Sequence, residues 1–191
     1  MGRMYFRHGA MGSSKSAHVL ITKYNYEERG IKVTLFKPAT DTRDGKTIVK
    51  SRIGLSSEAT VVPADANLYE MYKTTPVGAV IVDESQFLAS NQVDQLRRIV
   101  DEFDIPVFCY GLRTDFQSHL FEGSKRLMEL TDEIEEIKTV CTCGRKALIN
   151  ARLVDGKPTL DGDQIMLGGN ESYVAMCHKC WSKAVRKEWY I

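Results

Sequence analysis

The chain has 191 residues, 43% of them hydrophobic, and its 26 basic and 25 acidic side chains leave a formal charge of +1. That composition describes one globular domain with a small appendage, and near neutrality argues against nucleic acid or an anionic membrane as partner. With no apolar run near the ~18 residues that span a bilayer and no apolar signal core at the N-terminus, a cytoplasmic protein is expected.

Residues 3–7 (RMYFR) read as a short strand running into GAMGSSKS. Helical character follows over 15–28 and stops at Arg29-Gly30, where glycine suits a helix end. The β-branched run 31–36 (IKVTLF) reads as a buried strand, and the polar stretch 40–57, with Gly45 and Gly54, as a mobile loop or lid. The apolar run 79–82 (AVIV) is a further strand, ending in Asp83-Glu84. Val93, Leu96, Val100 and Phe103 fall on one face of a helix over 90–103, with Ser90 or Asn91 as its cap. Residues 106–110 (PVFCY) form another buried strand, in which Cys109 is plain core. Buried strands separated by helices predict an α/β fold with a parallel sheet flanked by helices. From 141 to 180 the pattern changes to short segments with turn signals at Asp155-Gly156, Asp161-Gly162 and Gly168-Gly169, which predicts a small β module. The expected division is a nucleotide-binding domain over 1–140 and a zinc-binding β module over 141–191.

Gly9-Ala10-Met11-Gly12-Ser13-Ser14-Lys15-Ser16 nearly matches the phosphate-binding P-loop pattern G-x-x-x-x-G-K-[ST], between a strand and a helix as that loop requires. Its backbone N–H groups and the helix start point at phosphate oxygens. Lys15 then meets the β- and γ-phosphates, and the Ser16 hydroxyl ligates Mg²⁺. Ser14 stands where the pattern has glycine, and it fits only if the backbone there tolerates a side chain. The plain alternative is a Gly/Ser-rich helix cap, and the strand–loop–helix context argues against it. Asp83, at the end of an apolar strand, is placed to hold Mg²⁺. Glu84 follows at the sheet edge where ligands bind in open α/β folds, placed as general base. Alone, this pair would be an ordinary acidic strand end.

Cys141-x-Cys143 and Cys177-x-x-Cys180 form two thiol pairs suited to tetrahedral Zn²⁺. The first pair is one residue shorter than the commonest spacing, which leaves His178 as an alternative ligand. After the strand PVFC, Leu112 and Phe116 are candidates for an apolar slot that takes a planar base, and Arg113 for steadying phosphate.

Taken in order, GAMGSSKS, KPATDTR, VIVDESQF, YGLRTDFQ, FEGSKRL, the two cysteine pairs and LGGNESY resemble the cytosolic-type thymidine kinases of bacteria and vertebrates over nearly the whole chain. The resemblance implies a P-loop (RecA-like) fold with a zinc ribbon, and transfer of the ATP γ-phosphate to the 5′-hydroxyl of thymidine, deoxyuridine being a further substrate. It implies catalytic roles for Glu84 as base, for Lys15, and for Arg43, which with Asp41 approaches the phosphates. ATP falls to Gly9–Ser16, Asp83 and Gln86, and Mg²⁺ to Ser16 and Asp83. Met11, Phe87, Leu112, Phe116, Met166, Gly168, Gly169 and Tyr173 line the thymidine pocket, with the segment 166–173 stretched over the base and held by structural Zn²⁺ at Cys141, Cys143, Cys177 and Cys180. It further implies a homotetramer inhibited by dTTP. The rival from another class is a P-loop ATPase whose zinc ribbon grips nucleic acid, and a second rival is a nucleotide-binding switch without chemistry.

Overall fold

The computed structural model describes residues 1–42, 45–166 and 172–185. In chain order the first elements are β1 (Met4–His8), α1 (Lys15–Glu27), β2 (Val33–Pro38), β3 (Ile48–Lys50), β4 (Ser56–Glu58), β5 (Thr60–Val62), α2 (Leu68–Thr74), β6 (Ala79–Val82), α3 (Ser90–Phe103), β7 (Val107–Gly111), α4 (Glu122–Leu130) and β8 (Glu133–Glu136). Six strands join in one sheet, in the order β5–β2–β6–β7–β1–β8, and every pairing in it is parallel.

The side-chain period of two divides each strand between the sheet's faces. Met4, Phe6, Val80, Val82, Val107 and Cys109 join a core with α2, α3 and α4, whereas Leu35, Ile81, Phe108 and Tyr110 join one with Val19 and Leu20 of α1. Topology accounts for this split. The β1–α1–β2 crossover runs one way along the sheet, and those through α2, α3 and α4 run the other. Right-handed crossovers in opposite directions must use opposite faces, and a crevice opens at the carboxyl edge where the direction changes. Register makes that edge level, with His8 opposite Gly111 and Val82 opposite Cys109. The loops after β1, β6 and β7 therefore leave the sheet side by side.

Within the stretch expected to be a loop over 40–57, Ile48–Lys50 and Ser56–Glu58 are strands. β3 and β4 pair as an antiparallel hairpin that packs Val49 into the α1-side core; the apolar pair Ile48-Val49 in a polar stretch is too short to signal a strand. The cap expected from Ser90 or Asn91 is also corrected. Ser90 is already the first helical residue, and Gln92 satisfies the start of α3 by accepting from the Ala89 N–H at 3.1 Å. Buried Gln92 also donates to the Pro63 and Ala66 carbonyls at 3.0 and 3.1 Å.

The chain continues through β9 (Thr139–Val140), β10 (Lys146–Ala147), β11 (Ile149–Val154), β12 (Lys157–Thr159), β13 (Tyr173–Met176) and α5 (His178–Val185). β11 is the middle strand of an antiparallel three-stranded sheet. Asp155 and Gly156 turn β11 into β12, both with positive φ (49° and 73°), as a two-residue hairpin requires. Trp181 is fully buried against Ile149 and Ala151. Among the described residues no helix is long and apolar enough to cross a membrane.

Candidate functional site

The loop from β1 to α1 folds back on itself. The Lys15 ammonium is buried and donates to the Gly9 and Ala10 carbonyls at 2.9 and 3.0 Å. A Cβ at Gly9 would lie 2.4 Å from the Ile137 carbonyl oxygen, so only glycine lets this turn close. Ser14, the residue before α1, sits in the left-handed region at φ 63°, ψ 25°. The glycine of the general pattern serves this conformation, and a side chain there costs about 1–2 kcal/mol.

Beside this loop, the Ser16 hydroxyl donates to Asp83 Oδ2 at 3.3 Å, and the other Asp83 oxygen accepts from the Glu84 N–H at 3.0 Å. Burial, then the neighbouring Glu84 carboxylate, pushes the Asp83 carboxyl up to about 7. Glu84 leaves the strand in a left-handed turn at φ 50°, ψ 39°, a strained backbone of the kind that gathers at functional sites. Its Oε2 accepts from Gln86 Nε2 at 2.6 Å, and Gln86 Oε1 in turn accepts from the Leu112 N–H at 2.9 Å. A Cβ at Gly111 would stand 2.6 Å from that same Oε1, so the glycine makes room for the amide that holds Glu84. Asp41 is buried and pairs with buried Lys37 at 3.2 Å, and Lys37 also donates to the Gly45 and Ile48 carbonyls.

Next to these carboxylates opens a cavity of about 540 Å³, its mouth included, walled by Met11, Phe87, Leu112, Phe116, Met166 and Tyr173, with Glu84 at its edge. The described pocket residues named from the sequence thus meet around one cavity. Arg43, Gly168 and Gly169 lie outside the described residues. Arg113 lines a smaller cleft with His8, Gly9, Ala10 and Glu136, where burial and the Arg113 charge hold the His8 imidazole below its usual range.

The thymidine kinase family model matches residues 2–181. The chain is 47% identical over 192 residues to the thymidine kinase of enterobacteria phage T4, covering 98% of this chain and 99% of that protein. It is 44% identical over 186 residues to that of Streptococcus gordonii (96% and 97% covered) and 45% identical over 192 residues to that of Salmonella choleraesuis (98% and 94%). The chain belongs to the thymidine kinase family.

Within this family member, Cys141, Cys143, Cys177 and Cys180 converge with all four sulfur atoms within 4.8 Å of one another. Zn–S bonds of about 2.3 Å at tetrahedral angles put sulfurs about 3.8 Å apart, and Cys143 and Cys177 stand at 3.6 Å. The cluster can hold zinc. Backbone N–H groups of Cys143 and Cys177 draw the Cys141 thiol down to about 6, while the side chains of Cys143 and Cys177 push Cys180 up to about 12; four clustered thiols cannot all ionise without a cation among them. The short Cys141-x-Cys143 spacing is accommodated because Gly144 turns at φ 82° and Cys141 N–H bonds the Arg145 carbonyl at 2.7 Å. His178, the alternative ligand, is outside the cluster; its ring packs on Trp181, centroids 5.7 Å apart. Cys109 is fully buried in the sheet, and burial raises its pKa.

Several residues escaped the sequence reading. Asn150 accepts from the Met11 N–H at 2.7 Å and donates to the Thr114 carbonyl at 3.2 Å, so β11 fastens the phosphate loop to the loop after β7. Asp115 accepts from the Gln117 and His119 N–H groups and from Gln164 Nε2, each at 2.9 Å. Both line the cavity. A lone Asn within a short apolar strand carries no local signal of such a role. Lys37 did carry one, since it belongs to KPATDTR itself. Arg52, on the β3–β4 turn, reaches the phosphate loop, its Nη1 standing 3.9 Å from where a Gly12 Cβ would be.

Proposed function

We propose that this protein transfers the γ-phosphate of ATP to the 5′-hydroxyl of thymidine, with deoxyuridine as a further substrate. The observation that carries the reading is the position of Glu84: one carboxylate borders the apolar cavity and directly follows Asp83, which faces the phosphate loop through Ser16. A base at that junction reaches a hydroxyl presented from the cavity toward a phosphate held by the loop. Names of the family and of its relatives supply the base, thymine.

In this mechanism the backbone N–H groups of residues 9–16 and the start of α1 receive the phosphates. Lys15 exchanges its two carbonyl acceptors for phosphate oxygens and stabilises charge on the transferred group. Ser16 and Asp83 would hold Mg²⁺, which when bound neutralises charge between the β- and γ-phosphates. Glu84, aimed by Gln86, takes the proton from the 5′-hydroxyl as that hydroxyl's oxygen bonds the γ-phosphorus, while the bond from phosphorus to the β–γ bridging oxygen breaks and ADP leaves. Arg43 and Asp41 sit on the segment assigned to the phosphates by resemblance. Met11, Phe87, Leu112, Phe116, Met166 and Tyr173 enclose the base, excluding water and attack by it. We assign zinc a structural role, holding β11 and β13 where Asn150 and Tyr173 meet the cavity, and we divide the chain into a nucleotide-binding part (1–140) and a zinc module (141–191). Cytoplasmic placement, a homotetramer and inhibition by dTTP belong to the same proposal and rest on the family resemblance.

The test is phosphorylation of thymidine, deoxyuridine, deoxycytidine and the purine deoxynucleosides with ATP and Mg²⁺, native protein against Glu84→Gln. The expected result is selective thymidine turnover whose kcat falls about 10²–10⁴-fold in the variant with ATP binding retained. Loss of ATP binding together with turnover would remove Glu84 from the role of base, and ATP hydrolysis without any nucleoside product would overturn the kinase reading.

A further inference from the structure

Arg152 touches three parts of the cavity wall without lining the cavity. It lies on β11 and is only 2% exposed. Its Nε and Nη2 donate to the Tyr173 hydroxyl at 3.0 and 2.8 Å. Nη1 donates to the Asp163 carbonyl at 2.7 Å, and Nη2 to the Gln164 carbonyl at 3.3 Å. The guanidinium carbon stands 3.8 Å from the centroid of the Phe116 ring and 5.4 Å from that of Tyr173. Among the described residues no carboxylate forms an ion pair with it. A buried cation with only neutral partners depends on every acceptor it has, because each lost bond leaves charge unsolvated. The acceptors are therefore held as firmly as the cation, and they belong to the wall: Phe116, Gln164 and Tyr173 border the cavity, as do Ile165 and Met166 directly after the bonded carbonyls.

We propose that Arg152 is the positioning residue of the nucleoside pocket, fixing the 163–166 segment, the Tyr173 phenol and the Phe116 ring relative to one another. This deepens the thymidine kinase reading and rests on it. The planar fork carries the function, not the charge, since four donor contacts in three directions and a stacked face need a guanidinium. No atom of Arg152 enters the reaction, so it acts on nucleoside affinity and leaves the phosphate site alone.

Arg152→Lys keeps the charge and loses the fork. The expected result is a rise of at least about ten-fold in the KM for thymidine, matched in the thymidine dissociation constant measured calorimetrically without ATP. The KM for ATP and kcat stay within about three-fold, as uniform binding loss requires. Zinc content and far-UV circular dichroism report folding. Tyr173→Phe, which deletes one shared acceptor and keeps the ring, moves thymidine affinity in the same direction by less, and it carries the test if the lysine variant does not fold. Thymidine affinity unchanged in a folded variant, or thymidine and ATP affinities falling together, overturns the proposal. A native protein that phosphorylates no nucleoside overturns the kinase reading instead; the Arg152 proposal is overturned only against an active native enzyme.

Discussion

Asp83→Asn is expected to stabilise the protein at pH 8 in the absence of nucleotide and Mg²⁺ while removing most of its phosphoryl transfer. Asp83 is 4% exposed. Burial first, and then Glu84, raise its pKa from 3.8 to about 7, against opposing pulls from the Glu84 N–H and Lys15. An unfolded chain thus loses this proton near 3.8 and the folded one near 7. Between those values the folded state binds more protons, so the contribution of Asp83 to stability falls as pH rises through the window and is fully lost above about 7. Three pH units correspond to ~4 kcal/mol; local relaxation around the buried charge reduces the realised penalty to about 1–2 kcal/mol. Asparagine keeps the geometry, with its oxygen accepting from the Glu84 N–H (now 3.0 Å) and its amide donating to the Ser16 hydroxyl (now 3.3 Å). A melting temperature higher than native by about 2–8 °C at pH 8 follows, with the gap closing toward pH 4. Thermal melts followed by circular dichroism at pH 4, 6 and 8 in Mg²⁺-free buffer measure it. A variant that melts at or below the native temperature at pH 8, or a gap that widens in acid, refutes the reasoning.

Two further outcomes are expected. Cys143→Ser loses most of the ~1 zinc per chain bound by four thiolates and with it thymidine affinity, whereas His178→Ala retains zinc; elemental analysis of purified protein decides both, and loss of zinc in the histidine variant would contradict the four-cysteine cluster. Ser14→Gly relieves the left-handed backbone at φ 63° but adds freedom to the unfolded chain, so stability changes by less than about 1 kcal/mol in chemical denaturation. A loss above about 2 kcal/mol would mean that the serine side chain carries an interaction its conformation does not reveal.

The legible parts of this protein were those whose chemistry is local. A phosphate loop needs its glycines, lysine and serine consecutive, because one turn of backbone and one helix start make the whole cradle. Asp83-Glu84 was readable because an apolar strand ends just before it, and the cysteine pairs because a metal accepts few spacings. Alternating strands and helices implied the α/β class. What stayed hidden needed distant partners. Val49 marks a strand only because α1 and the sheet close over it. Gln92 caps its helix with an amide that also ties down Pro63 and Ala66. Ser90, one of the two caps expected from sequence, is already inside the helix.

The sequence by itself determined the family, the P-loop motif, the carboxylate pair and the two cysteine pairs, because each is written in adjacent residues or in the order of short motifs. Tertiary structure alone decided that Asn150, 139 positions from Met11, fastens the phosphate loop. It also decided that Asp115 and Gln164 meet across the cavity, and that the Arg152 charge is buried between Phe116 and Tyr173. Those contacts join residues on different elements, and a buried polar group takes whatever partner the packing of those elements brings within hydrogen-bond reach.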